Sequence, residues 1–363
     1  KELSKLLLII KTPLKLENMY KIKVSLPNEK NNLNIKDFVD NENNTYKNFK
    51  FYVNEDIEEV DYWFVVENVV QNHEETKVNK KNIIYLNYET SYPKDYFLTK
   101  YMKNYLRQFS KKYGCYNDFS DSYVSSPPFQ PWLINSSQSS SLDSNSERDY
   151  KYLTKLSKVE KTKNLSVICS TKKVTDDHAA RLKFVETIAK HFNDDLDWYG
   201  TGKKKIEQKW EGIGKYKYHI VLENESRNNL ISEKLYDSYL GLSYPFYFGA
   251  PNLSEFFPKN SFSFIDIFNI SESIEIIRNG IENNLYEKHF NDLLKSKNIV
   301  LNEFNLFKRM INIIEESAIE DLSLTKTQNK IYSVGYFWKK DVGIKEKTKH
   351  HIKRKLRLNV RNY

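Results

Sequence analysis

Only two cysteines occur in the 363 residues, Cys115 and Cys169. A disulfide framework needs more, and a zinc site needs closer spacing, so both read as free thiols in a reducing compartment. Long apolar runs are also lacking. The aliphatic stretch at 6–10 is far too short for a signal segment or a membrane span. The chain opens on Lys1 rather than Met, which leaves room for residues upstream, and a cytoplasmic location is expected. No glycine-rich phosphate loop of the P-loop or dinucleotide type is present. No internal repeat of solenoid period is present either.

Charge is present but unevenly placed. The formal net charge is +9, and residues 339–363 hold ten Lys/Arg against two acids, Asp341 and Glu346. The remainder is nearly neutral, which argues against nucleic acid as a partner of the whole protein. The tail carries Ile352, Leu356 and Val360 at helical spacing, and a basic amphipathic end of this kind suits an anionic membrane surface. A peripheral position on the inner face of a membrane is the corresponding expectation. With 39% hydrophobic and 14% aromatic residues there is ample material for packed cores, and the length favours two domains.

The pattern along the chain is α/β. Apolar runs at 21–27, 50–54, 62–69 and 82–89 suit strands buried on both faces of a parallel sheet. A polar, serine-rich stretch at 135–147 reads as a loop near a domain join. From 164 on, strands and helices alternate: a strand at 164–171, a helix capped at Thr175, a strand closed by Gly200, and a strand at 217–224. A helix opening at Ser232 follows, and then a helix capped by Ser271 or Ser273. Such alternation implies a doubly wound domain that binds ligands beyond the carboxyl ends of its strands. Two Rossmann-like domains with a cleft between them are expected. The first covers 1–155, the second 156–323, and a basic extension covers 324–363.

The chemistry concentrates in YKYHIVLENESRNNLISEKLYDSYLGLSYPFYFGAPNLSEFFPKNSFSFIDI. A strand delivers Glu223 and Asn224 to its carboxyl end, and a helix opens on Ser232-Glu233-Lys234. A helix N-terminus offers free N–H groups and partial positive charge to a diphosphate. Lys234 adds a full charge, and Glu233 can accept hydrogen bonds from a ribose diol. Gly249 allows close approach of backbone to a ligand. A bare Glu-Lys pair at a helix start is most often an ordinary solvated pair; the whole pattern lifts this one out of that class.

That pattern resembles the α-1,3/4-fucosyltransferases of glycosyltransferase family 10. It matches their strand ending in Glu-Asn, the Thr-Glu-Lys helix start, the Pro-x-(Tyr/Val)-x-Gly strand and the Pro-x-x-Phe strand start. HAARLKFVETIAKHF is similar to the family's His-x-x-Arg helix, and YLNYETSYP resembles its Glu-Ser-Pro region. QFSKKYGCY and PPFQPWLI resemble weaker segments. The likeness covers roughly 60–315 and is strongest over 164–270. It implies the GT-B fold, a GDP-fucose donor, an oligosaccharide or lipid-linked glycan acceptor, and no cofactor or obligate metal. By the same resemblance, Arg181 and Lys234 neutralise the donor pyrophosphate, Glu233 binds the ribose, and Asn224 lies beside the donor. Glu89 is the general base, best suited to the task if partly desolvated. Glu223, at the same strand end, joins the donor-binding set. Leu230 stands where the family has tyrosine, and Ser232 replaces its threonine. The Leu230 change motivates a rival reading with another GDP-linked deoxysugar. A rival of a different class is a non-catalytic basic protein that binds a membrane or nucleic acid.

Asp195-Leu196-Asp197 spells the metal-binding Asp-x-Asp of other transferases. It falls in a helix-to-strand turn, where acids are commonly solvated. His178 reads as a local polar contact, and Tyr199-Gly200-Thr201-Gly202 as a turn at a strand exit.

Overall fold

The computed structural model describes residues 19–27, 34–41, 43–90, 92, 96–116, 122–136, 147–171, 176–317 and 325–343. The expected cap at Thr175 and most of the basic tail lie outside them, as do the side chain of His178 and most of the serine-rich stretch.

The first sheet is built from β1 (Tyr20–Ser25), β2 (Thr45–Tyr46), β3 (Phe49–Val53) and β4 (Tyr62–Val66), with β6 (Ile83–Leu86), β7 (Lys111–Gly114) and β8 (Tyr123–Ser125). Its order is β2-β3-β1-β4-β6-β7-β8, and every pairing except β2–β3 is parallel. All side chains of β4 and β6 are buried, as continuous apolar runs in a covered parallel sheet require. β5 (His73–Val78) stands outside this sheet. Helix α1 (Lys100–Leu106) sends Met102, Tyr105 and Leu106 into the core.

The second domain follows α2 (Tyr150–Lys155). It comprises β9 (Lys163–Ile168), α3 (Asp176–Phe192), β10 (Leu196–Tyr199), α4 (Lys209–Ile213), β11 (Tyr216–Leu222), α5 (Glu233–Leu240), β12 (Tyr244–Phe248) and β13 (Ser263–Phe264). The five strands lie in the order β10-β9-β11-β12-β13, all parallel. Strand order reverses beside β9, which opens a crevice at the carboxyl ends of β9 and β11. Next come α6 (Ile270–Glu282), α7 (Leu285–Lys288), α8 (Phe290–Asn302) and α9 (Leu306–Ser317). Asn269, not Ser271 or Ser273, caps α6; the Ser273 hydroxyl instead donates to the Asp266 carbonyl at 2.8 Å.

Two sheets of this kind facing one another form the GT-B arrangement. The chain ties them together more than once. On α9, the Arg309 guanidinium donates to the carbonyls of Pro127 and Pro128 and lies 3.6 Å from the Phe129 ring. β14 (Thr327–Tyr332) returns to pair antiparallel with β5, and α10 (Val334–Asp341) packs on α1. The part of 324–363 that is described, 325–343, therefore builds onto the first domain instead of trailing from the second. Among the described residues no helix is long and apolar enough to cross a membrane.

Candidate active site

The carboxyl ends of the two sheets face a cleft of about 720 Å³. Glu67, Tyr88, Glu89, Thr90 and Gln130 line it from one side, and Asn224, Glu233 and Lys234 from the other. A smaller cavity of about 180 Å³ adjoins it, sharing Leu133, Glu233 and Lys234.

On the second-domain side everything hinges on the start of α5. The Ser232 hydroxyl caps the helix by accepting the Lys234 N–H at 3.3 Å. Ser232 is itself held by Glu223, whose carboxylate accepts its N–H at 2.8 Å and its hydroxyl at 2.6 Å. Glu223 is fully buried and lines neither cavity, so it stands behind the site and orients the helix start instead of facing the cleft. Burial pushes its carboxyl above the usual range, with Lys234 opposing.

Lys234 Nζ lies 3.2 Å from Glu233 Oε1 and 3.5 Å from Glu223 Oε2. Burial pulls its ammonium down, but the two carboxylates outweigh that and hold it above its ordinary value. Burial pushes Glu233 up; Lys234 and Lys209 more than reverse this and bring it to about 2, so it is ionised. Its second oxygen, Oε2, is buried without a hydrogen-bond partner. Arg181 reaches the same place from α3. It is 8% exposed, donates to the Leu222 carbonyl at 3.4 Å, and leaves Nε unmatched. Orphaned polar atoms of this kind carry an uncompensated desolvation penalty in the free protein, which a ligand in the cleft would offset.

Asn224 spans the cleft, its amide donating to Thr90 Oγ1 at 3.1 Å. Glu89, on the loop after β6, is exposed and not desolvated as expected; its Oε1 accepts the Thr90 N–H at 2.8 Å. The desolvated carboxylate is Glu67, one strand over, which sequence reasoning missed. It accepts from Tyr85 Oη at 3.1 Å, the Tyr88 N–H at 2.9 Å, the Glu89 N–H at 3.2 Å, and also from Asn87 and Tyr92. Burial raises its pKa. Both of its oxygens accept from protein donors, and through them Glu67 organises the Glu89 loop. Its φ of 68° is a left-handed conformation for a non-glycine residue. The one sequence signal was an acid following a fully apolar strand.

Three other expectations change. Leu230 is completely buried and packs into the apolar cluster of the first domain, so it does not line the cleft. Gly249 makes room for protein, not ligand: a Cβ there would lie 2.2 Å from Tyr247 Oη and 2.5 Å from Glu223 Cγ. Asp197 accepts from Lys163 at 2.5 Å and from Tyr216 Oη at 2.6 Å, making it an ion-pair hub at the sheet edge.

Comparison with known proteins bears on this geometry. Residues 158–306 match the family model described as glycosyltransferase family 10 (fucosyltransferase), C-terminal. Over 95 residues the chain is 30% identical to the α-(1,3)-fucosyltransferase FucT of Helicobacter pylori. That stretch covers 24% of this chain and 20% of the relative, so the chain aligns with about a fifth of the curated relative's length. Among solved structures, a crystal structure of an α1,3-fucosyltransferase with GDP aligns at TM-score 0.47 and 19% identity, covering 87% of this chain and 94% of that one. Another, with GDP-fucose, aligns at TM-score 0.44 and 18% identity, covering 85% and 92%. The chain resembles the family 10 glycosyltransferases, and its second domain carries the resemblance.

Proposed function

We propose that the protein is an inverting glycosyltransferase that moves fucose from GDP-fucose to a hydroxyl of a glycan. The observation that carries this reading is the unmatched Glu233 Oε2 beside Lys234 on the cleft wall opposite Glu89, with Arg181 held behind them on the Leu222 carbonyl. Two cations match a pyrophosphate, and an ionised carboxylate with a free oxygen matches a ribose diol.

In this mechanism the acceptor oxygen attacks the anomeric carbon and its proton passes to the Glu89 carboxylate. The bond from the anomeric carbon to the β-phosphate oxygen breaks, and charge grows on the departing diphosphate. Arg181 and Lys234 stabilise that charge in place. One carboxylate suffices as base, and Glu67 holds it through the backbone of its loop. The two cations do the work that a divalent ion does elsewhere, so turnover is expected to survive a chelator. The acceptor is an oligosaccharide or lipid-linked glycan carrying a GlcNAc or glucose unit. The basic tail would bring the enzyme to an anionic membrane surface.

The test is incubation with a panel of GDP- and UDP-sugars and glycan acceptors, with and without EDTA, reading products by mass. Transfer of 6-deoxyhexose from the GDP-sugar, unaffected by EDTA, is expected. Transfer from UDP-sugars alone, or metal-reversible loss of turnover, contradicts the reading.

A further inference from the structure

One polar side chain in the cleft is used neither by the fold nor by the donor site described above. Gln130 lies on the segment that joins the two domains. Just before it, the Phe129 N–H donates to the Asn87 carbonyl at 2.7 Å, fixing the segment against the loop that bears Glu89. Just after it, the Leu133 N–H donates to the buried Asp237 carboxylate at 2.8 Å, pinning the segment to α5. Between these anchors the Gln130 side chain lines the 720 Å³ cleft. It is 7% exposed, and its Oε1 has no hydrogen-bond partner.

A buried carboxamide held this way penalises the free protein, and a residue needed only for packing would serve better as Leu or Met. The geometry points to Gln130 as a sugar-binding residue that accepts a hydrogen bond from a hydroxyl of a pyranose in the cleft. The proposal rests on the reading of the cleft as a nucleotide-sugar site. Its chemistry matches the second orphan there, Glu233 Oε2, because two unmatched acceptors on residues that line one cavity suit a ligand rich in hydroxyl donors. A phosphate offers no such donors and is matched instead by Arg181 and Lys234. The hydroxyl belongs either to the transferred sugar or to the acceptor sugar, and affinities separate the two.

The experiment compares wild type with Gln130→Leu and Gln130→Met. GDP and GDP-fucose are titrated by calorimetry, KM is measured for the acceptor, and the melting temperature is taken without ligand. GDP affinity should not change. If the contact is to the transferred sugar, GDP-fucose affinity falls about tenfold; if to the acceptor, GDP-fucose affinity holds and acceptor KM rises about tenfold. The ligand-free melting temperature should equal or exceed wild type, since an unmatched polar group has gone. Unchanged GDP-fucose affinity and acceptor KM overturn the proposal, as does failure of both variants to fold. Wild type that binds neither GDP nor GDP-fucose overturns the underlying reading of the cleft instead.

Discussion

Replacing Lys234 and Arg181, each by Met, should move stability in different ways and ligand binding in the same way. Lys234 sits between Glu233 at 3.2 Å and the fully buried Glu223 at 3.5 Å. Removing it leaves two neighbouring carboxylates without their shared cation. Breaking such a buried pair costs ~3–5 kcal/mol. Because 27% of the Lys234 side chain is exposed, water offsets part of that, and about 3 kcal/mol is expected. Arg181 differs: among the described residues its hydrogen bond is a 3.4 Å contact to a carbonyl, and Nε is unmatched. Removing a poorly compensated buried cation should change stability by less than about 1 kcal/mol in either direction. For GDP, each variant loses one charge-assisted contact to phosphate, about 1.5–3 kcal/mol, or roughly 10–150-fold in Kd. Urea unfolding gives the stability changes, and calorimetric titration of GDP gives the affinities. Equal stability losses in the two variants would refute the charge account of the helix start. Undiminished GDP binding in both would refute the donor site itself.

Gly249→Ala should destabilise the protein by about 1–3 kcal/mol, because its Cβ meets the buried Tyr247 hydroxyl and Glu223; urea midpoints check this, and an unchanged midpoint contradicts it. Burial, with Lys209 and Lys161 adding to it, pulls the His219 imidazole down to about 3, while Ser166 Oγ lies 2.8 Å from its Nδ1. The unfolded chain therefore takes up that proton first, and stability is lost as pH falls from about 6.5 toward 3. Between pH 7 and 5 the loss is about 2 kcal/mol. His219→Gln should show a correspondingly smaller drop in urea midpoint over that range, and an identical drop contradicts the assignment. Glu67→Gln can no longer accept from all of the donors around it, so the Glu89 loop shifts. Turnover should fall roughly 10–100-fold with GDP affinity unchanged, and normal turnover would remove Glu67 from the account.

Much of the second domain is legible in the sequence because its signals are local. The start of α5, the strand that ends before Glu223, and the continuous apolar strands β11 and β12 can all be read from periodicity and capping alone. The first domain yields its parallel strands for the same reason. What escaped depends on long-range contact. β14 pairs with β5 across about 250 residues, and neither strand carries a strong apolar pattern. Glu67 and Gln130 look like ordinary polar residues until folding surrounds one with donors and leaves the other without a partner. Glu223 reads as a ligand contact because its neighbours are cleft residues; only three-dimensional placement shows its carboxylate turned toward Ser232. Leu230 stands beside the donor motif in sequence yet packs with the other domain.

The most direct test of the central claim is the rate of fucose transfer from GDP-fucose by wild type and Glu89→Gln, measured beside GDP affinity for each. The substitution keeps size and hydrogen-bonding shape but cannot take the acceptor proton. Transfer should fall about 10²–10⁴-fold while GDP binds as before, since the contacts proposed for it come from α3 and α5. Near-normal transfer by Glu89→Gln would place the base elsewhere and contradict the account.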